Sequence, residues 1–470
     1  DSRLIVATHG AMATTPHETP DLAGAAVWGL IRSAQSEHPD RITLTDLEPD
    51  PTTTPDLTDT LRTVAATRLP QVAVRQGRLL TPHLTRTTPH PNPTPDFGNG
   101  TVLITGATGT LGTTLARHLV THHHIRHLLL LSRSGDTTPK AKELRRELEE
   151  HGAHITLTAC DVTDPTQLAD TLATIPHDHP LTAVIHTAGI TEDGITTHMT
   201  QDQLDRVLRP KIDGAWNLHH QTRHHNLKTF ALYSSLAGLL GTPGQANYAA
   251  GNAFLDALAT HRHTHHQPAV SLAWGLWEET SGISGQLTDT DLRRLNRMGL
   301  HPLTTPQALH LLDQALTTNE PVQALTALDT THLTPHNTHL PTLLHTLTPT
   351  PRHQPTPTHN NPTQTHPHTT QLADQLADQT PQERERTLTD LVRTTVAHIL
   401  GHDDPRAIET DRAFQELGFD SLNAVELRNR LNTLSGLRLA NTVVFDYPSV
   451  TTLAHHLDQQ LTHHTPTTHT

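Results

Sequence analysis

The sequence predicts an α/β protein built on a doubly wound parallel sheet and followed by a small all-α bundle of four helices. Three observations carry that expectation. Between Gly100 and about Thr330, short apolar runs alternate with amphipathic stretches, the pattern of a sheet covered on both faces. A glycine-rich turn follows the first strand-like run of that stretch. From Gln371 to His464 apolar residues recur at helical spacing, after a tract that is nearly all Pro, Thr, His, Asn and Gln.

Residues 1–96 read as a partial α/β unit, with strands at Leu4–Thr8, Ile42–Leu47 and Gln71–Arg75 and a helix over Leu22–Ser36. A Pro/Thr/His-rich passage from Thr85 to Asp96 marks its boundary. Residues 97–347 hold the main sheet. Its strands are expected at Val102–Thr105, Leu128–Leu131, Ile155–Thr158, Ala183–His186, Thr229–Tyr233 and Val270–Trp274. Residues 348–370 cannot bury a core and read as an extended linker. The helical domain spans 371–464, leaving a tail at 465–470. Its stripes are Leu388, Leu391, Val392, Val396, Ile399 and Leu400, then Leu422, Val425, Leu427 and Leu431, then Val450 to Leu461. Pro448 and Ser449 start the last helix.

Composition narrows the function. A chain of 470 residues exceeds one typical domain. With 33 Lys and Arg against 47 acids, a net charge of −14, it lacks the basic balance of a nucleic-acid binder. No apolar run has the length of a membrane span and no signal-peptide pattern opens the chain. The single cysteine, Cys160, excludes an internal disulfide and fits a reducing cytoplasm. The 41 histidines occur in runs such as His122-His123-His124, which reads as biased surface composition, so no metal site is expected. The start at Asp1-Ser2-Arg3, without Met, suggests a piece of something longer.

The turn Thr105-Gly106-Ala107-Thr108-Gly109-Thr110-Leu111-Gly112 has a strand before it and a helix after it. Glycines there let the backbone turn tightly and approach a pyrophosphate, which a helix N-terminus favours. This is a Rossmann-like dinucleotide site in its required context, using Gly106, Thr108, Gly109, Thr110, Leu111 and Gly112. The second strand ends in Ser132-Arg133, where an NAD-specific site usually offers an acid. A hydroxyl and a guanidinium suit a 2′-phosphate, so NADPH is the expected cofactor. Asp161 and Val162 are placed to meet the adenine edge, and His186 and Ala188 to line the nicotinamide side.

Ser235, Tyr248, Asn252 and Lys211 supply what ketone reduction needs on the protein side. A tyrosine can protonate a developing alkoxide if an ammonium lowers its pKa, and a serine can hold the carbonyl oxygen. Tyr248 and Asn252, four apart, share a helix face.

On these residues, 1–347 resembles the ketoreductase of modular type I polyketide synthases, a branch of the short-chain dehydrogenase/reductases. The string from Ala26 to Pro39 resembles the later part of that family's truncated Rossmann-like structural subdomain. Residues 371–464 resemble the acyl-carrier protein of the same assembly lines, through Gly418-Phe419-Asp420-Ser421-Leu422 at the start of an amphipathic helix. The resemblance implies that Tyr248 donates the proton, Ser235 orients the ketone, and Lys211 and Asn252 complete a tetrad. Typical short-chain reductases have lysine four residues after the tyrosine. Asn252 stands there instead, with Lys211 upstream, the exchange seen in polyketide ketoreductases. Ser421 would carry a 4'-phosphopantetheine arm installed by a phosphopantetheinyl transferase and holding a β-ketoacyl thioester.

Stereochemistry is implied at two positions. Thr191-Glu192-Asp193 keeps the last aspartate of the Leu-Asp-Asp motif of D-configured, B-type ketoreductases but loses its leucine. Leu240 stands where the L-configured class has tryptophan. Residues 278–300 resemble the lid over the substrate entrance. Ketosynthase, acyltransferase and dehydratase domains could precede the chain in a parent synthase expected to be a homodimer. Two other readings stay open: a fatty-acid-type or stand-alone reductase, and a reductase-like scaffold that no longer reduces.

Overall fold

A computed structural model describes residues 2–53, 56–88, 91, 94–278, 295–296, 299–332, 341–347, 372, 376, 379–402, 404–419, 421–440 and 442–463. These form two compact units, one drawn from residues 1–349 and the other from 350–470. The expected linker and tail lie outside the described residues, as does most of the expected lid.

The first unit opens with a four-stranded sheet. Strands β1 (Leu4–His9), β2 (Ile42–Leu47) and β3 (Gln71–Arg75) pair in parallel, and β4 (Arg78–Leu80) folds back antiparallel on β3. The β3–β4 turn places Gln76 and Gly77 at φ of 52° and 72°, the left-handed pair that two-residue hairpins require. Helix α1 (Leu22–Glu37) starts where the Asp21 carboxylate accepts from the Gly24 N–H, and Asp56 caps α2 (Leu57–Thr67) in the same way.

The second sheet contains β5 (Thr101–Thr105), β6 (His127–Ser132), β7 (His154–Ala159), β8 (Leu181–His186), β9 (Thr229–Ser235) and β10 (Val270–Trp274). After β11 (Leu300–His301) comes its seventh strand, β12 (Val322–Leu325); β13 (Ala327–Leu328) pairs antiparallel with β11. The seven strands are parallel, in the order β12-β10-β9-β8-β5-β6-β7. The order reverses between β5 and β8, so their C-terminal ends open onto the crevice where such folds bind ligands.

Side chains alternate across this sheet. Val102, Ile104, Leu128 and Leu130 pack with α3 (Thr110–Thr121), α4 (Pro139–Glu150) and helix Thr305–Leu316. Leu103, Leu129 and Leu131 pack with α5 (Pro165–Leu172) on the other face. That layer continues, beyond α6 (Gln201–Lys211), through α7 (Asp213–Thr222) and, past the short α8 (Leu236–Leu240), through α9 (Ala246–Thr264). Strands buried on both sides are why the sequence shows them as continuous apolar runs.

Helix α1 lies against α9. A Cβ at Gly29 would stand 2.3 Å from the Ala249 carbonyl oxygen, so only glycine permits this approach. Arg32 donates to the Gly238 carbonyl at 2.7 Å and Ser36 to that of Gly241 at 3.0 Å. The buried Glu37 carboxylate accepts from the backbone N–H groups of Thr196 and Gly244 at 2.9 and 3.0 Å.

In the second unit, helices Pro381–Leu400, Ser421–Ser435, Val443–Asp446 and Val450–His463 enclose a core that includes Leu388, Val392, Val396, Leu427, Leu431 and Leu453. Thr380 and Glu383 form a capping box at the first helix, and Gly401 ends it at φ 74°. Among the described residues, no helix is long and apolar enough to cross a membrane.

Candidate active site

The glycine turn leaves β5 and enters α3 at the sheet's reversal point. Gly106 has φ of +64°, and a Cβ there would press on the Ala188 backbone at 2.9 Å. A Cβ at Gly112 would stand 2.4 Å from the Gly106 carbonyl oxygen. Gly109 is the N-cap of α3 and offers no side chain, so the helix starts without a side-chain cap. Thr108, Thr110 and Leu111 are partly exposed along this rim. At the end of β6, the buried Ser132 Oγ has no hydrogen-bond partner, and Arg133 beside it is exposed. An uncapped helix start, a turn with no room for Cβ atoms and an orphaned hydroxyl next to a guanidinium fit a phosphorylated dinucleotide.

The other expected contacts are distributed less evenly. The Asp161 carboxylate accepts from the Thr163 backbone N–H and hydroxyl at 3.0 and 2.8 Å. Val162 is buried, and its carbonyl accepts from Asn217 at 3.0 Å. Ala188 packs on Gly106, with its N–H 3.3 Å from Thr105 Oγ1. His186 is fully buried, its Nδ1 2.7 Å from Thr105 Oγ1 and its Nε2 2.9 Å from the Pro210 carbonyl oxygen. Burial, helped by the Lys211 charge, drives this imidazole down to about 3, so it stays neutral.

Ser235, Tyr248, Asn252 and Lys211 converge from three elements. Ser235 ends β9 and caps α8, its Oγ accepting from the Ala237 N–H at 3.2 Å. Tyr248 and Asn252 lie on α9, where Asn252 Nδ2 donates to the Tyr248 carbonyl at 2.8 Å. Asn252 Oδ1 is buried with no partner, an acceptor left over within the site. Lys211 ends α6 and is only 3% exposed, so it is no surface charge. Its Nζ donates to the Tyr233 carbonyl at 3.0 Å and lies 5.2 Å from the centre of the Tyr248 ring. Burial brings the Lys211 ammonium down to about 8, opposed by the Asp256 carboxylate. Burial pushes the Tyr248 phenol up, and the Asn252 and Ser235 side chains draw it back.

Asp193 is exposed, and both its carboxylate oxygens accept from Gln245 Nε2, at 3.2 and 3.1 Å. Leu240 ends α8 and packs near Leu344. The Asp193 and Gln245 loops also meet at a bridge between Gly194 and Gln245 and share Glu37 as an anchor. Sequence reading missed Glu37 because its partners are remote in the chain. It also missed Asp256 on α9 and the group His118, His123 and Asp313. There Asp313 accepts from His118 Nε2 at 3.1 Å and from His123 Nε2 at 2.8 Å, and these bonds account for the cluster as an anchor between α3 and helix Thr305–Leu316.

In the second unit Gly418 adopts φ +89° with open space around it, and Ser421 opens helix Ser421–Ser435. Asp420 and the Ser421 side chain lie outside what is described.

A parallel sheet with a dinucleotide turn at its reversal point, followed in the chain by a helical bundle, defines a nucleotide-binding α/β domain joined to a small all-α one. Comparison with known proteins agrees. The KR domain model matches residues 100–279, the phosphopantetheine attachment site model 390–457, and the Rossmann fold domain of polyketide synthase extender module SpnB 1–84. Spectinabilin polyketide synthase system protein NorA' of Streptomyces orinoci is 47% identical over 98% of the chain, and pikromycin polyketide synthase component PikAII of Streptomyces venezuelae 46% over 77%. The chain spans only 12% and 10% of those two proteins. Among solved structures, an A1-type ketoreductase is 36% identical, with TM-score 0.63, covering 70% of each chain. The first ketoreductase of the tylosin polyketide synthase is 34% identical, with TM-score 0.64, covering 72% of this chain and 73% of that one. The chain belongs to the modular polyketide synthases, as a ketoreductase followed by a phosphopantetheine-carrying domain.

Proposed function

We propose that the chain reduces a β-ketoacyl thioester to a β-hydroxyacyl thioester with NADPH, the substrate being tethered to phosphopantetheine on Ser421. The observation that carries this reading is a buried Lys211 ammonium over the Tyr248 ring, with Ser235 beside the same phenol. NADPH, when bound, supplies the hydride to the carbonyl carbon. Ser235 holds the carbonyl oxygen by hydrogen bond as charge develops. Tyr248 gives that oxygen its proton, and Lys211 stabilises the phenolate left behind. Asn252 fixes the α9 backbone at Tyr248 and keeps a buried acceptor beside it.

Ser132 and Arg133 would hold the 2′-phosphate and make the site prefer NADPH. Asp193 and the absence of tryptophan at Leu240 favour the D-configured, B-type product. Working boundaries are 1–96 for the structural subdomain, 97–347 for the catalytic one and 371–464 for the carrier. The partners of this reading are a phosphopantetheinyl transferase and the other domains of a homodimeric synthase. Tethering suits the chemistry because a linker replaces free diffusion with a high effective concentration.

The test is turnover of a soluble β-ketoacyl thioester with NADPH and with NADH, followed by chiral analysis of the alcohol. NADPH-selective oxidation giving the D-alcohol is expected. Folded protein that oxidises neither cofactor would leave a reductase-like scaffold, and an L-alcohol would overturn the B-type assignment.

A further inference from the structure

Glu37 is the last residue of α1 and is only 1% exposed. A carboxylate so placed is costly unless donors meet its charge. Here backbone N–H groups do so, from two loops remote in the chain. Oε2 accepts from Thr196 at 2.9 Å and Oε1 from Gly244 at 3.0 Å. Each oxygen takes one loop, so the carboxylate acts as a fork that fixes the spacing between them. The fork is itself held in place: Arg32 and Ser36 on the same helix donate to the Gly238 and Gly241 carbonyls at 2.7 and 3.0 Å.

From the fork, the two loops lead to the proton donor. The Gly194 N–H donates to the Gly244 carbonyl at 2.7 Å, and Gln245 Nε2 reaches both oxygens of the Asp193 carboxylate. Asn247 is fully buried; its Nδ2 donates to the Glu192 carbonyl at 2.9 Å and its Oδ1 accepts from the Tyr248 N–H at 2.7 Å. Hydrogen bonds therefore tie both loops to each other and to the Tyr248 backbone, with Asp193 and Gln245 between Glu37 and the site.

We propose that Glu37 is a positioning residue that sets the configuration of the product: its carboxylate holds residues 192–196 and 244–247 in register beside Tyr248, and that register fixes which face of the ketone meets the hydride. The inference rests on the reductase reading above. Hydride and proton come from fixed places, the cofactor and Tyr248, so the configuration of the alcohol depends on how the acyl chain lies between them. Loops that slip beside Tyr248 admit a second pose without removing the chemistry. An amide at position 37 supplies one acceptor and one donor, so one of the two N–H groups would face another N–H.

The experiment uses the full chain, NADPH and a soluble β-ketoacyl thioester, with chiral analysis of the alcohol beside kcat, the KM for NADPH and thermal melting. Glu37→Gln should lower the ratio of major to minor enantiomer by about tenfold, the worth of one charge-assisted hydrogen bond, and leave the KM for NADPH unchanged. A role in stability alone would lower the melting temperature and keep the wild-type ratio. Thr196→Pro removes one donor and leaves Glu37 in place, so it keeps the test open should Glu37→Gln not fold. Thr196 is the first residue of a 3-10 turn, Thr196–His198, and Ile195 before it is extended at φ −63° and ψ 145°, so proline fits there. The same fall in the ratio is expected. A folded variant of either kind with the wild-type ratio overturns the inference and leaves the reductase reading intact. Wild-type protein without turnover overturns both.

Discussion

Gly29→Ala tests whether the N-terminal subdomain shapes the active site through α9. The added Cβ would stand 2.3 Å from the Ala249 carbonyl oxygen, 2.7 Å from its carbonyl carbon and 2.7 Å from the Ala253 Cβ. Carbon and oxygen atoms rest at roughly 3.3 Å or more, so the two helices must separate by about 1 Å at this crossing. Both of the clashing atoms on the α9 backbone belong to the residue after Tyr248. Overpacking of this kind costs about 1–3 kcal/mol in stability. A shift of about 1 Å at a reacting group can lower kcat by roughly a hundredfold. The assay pairs chemical denaturation with NADPH-dependent turnover, using Val27→Ala on the exposed side of α1 as control. Gly29→Ala should lose both stability and kcat, and the control neither. A Gly29→Ala protein with wild-type stability and turnover would refute the argument that α1 sets the position of Tyr248.

Other outcomes follow from the same geometry. Tyr248→Phe keeps the ring and loses the proton donor, so kcat should fall by about 10²–10⁴-fold with the melting temperature nearly unchanged. Arg133→Ala should raise the KM for NADPH by roughly tenfold or more, the worth of a charge-assisted hydrogen bond, and leave that for NADH unchanged. His186 is buried neutral at about 3, below its ordinary value, so the unfolded chain takes up a proton first. Its contribution is therefore lost as pH falls from about 6.5 towards 3, by up to about 1.4 kcal/mol per pH unit. Asp313 resists burial through its His118 and His123 bonds, which hold its carboxyl at about 2. Its contribution is present above the ordinary carboxylate range and lost as pH falls towards 2, so Asp313→Asn should weaken the acid side of the stability profile. Denaturation midpoints across this pH range check both.

What the sequence disclosed was what local pattern can encode. The central strands of the main sheet are apolar runs because both faces are covered, and β1, β2, β3 and α1 lie where patterning put them. The glycine turn was legible because strand, turn and helix are contiguous. The β3–β4 hairpin, α2 and β12 are too short or too polar to stand out, and pairing with neighbours decides them. Ser235, Tyr248, Asn252 and Lys211 were read from type and resemblance, but nothing in the sequence says that Lys211 is buried over the Tyr248 ring. Asp256 looks like one more polar residue within an Ala- and Leu-rich helix, and Glu37 like the end of another. Their meaning comes from partners that only the fold brings near: Ser271 for one, Thr196 and Gly244 for the other.

Mass spectrometry of the full chain decides whether NADPH, with Tyr248 as proton donor, reduces the arm that Ser421 carries. The protein is loaded by a phosphopantetheinyl transferase with a β-ketoacyl arm and then given NADPH. The peptide containing Ser421 should gain the arm, the arm should gain the mass of two hydrogen atoms, and Tyr248→Phe should block the second gain alone. An arm that stays a ketone on folded wild-type protein, or an arm that still attaches in Ser421→Ala, would contradict that reading.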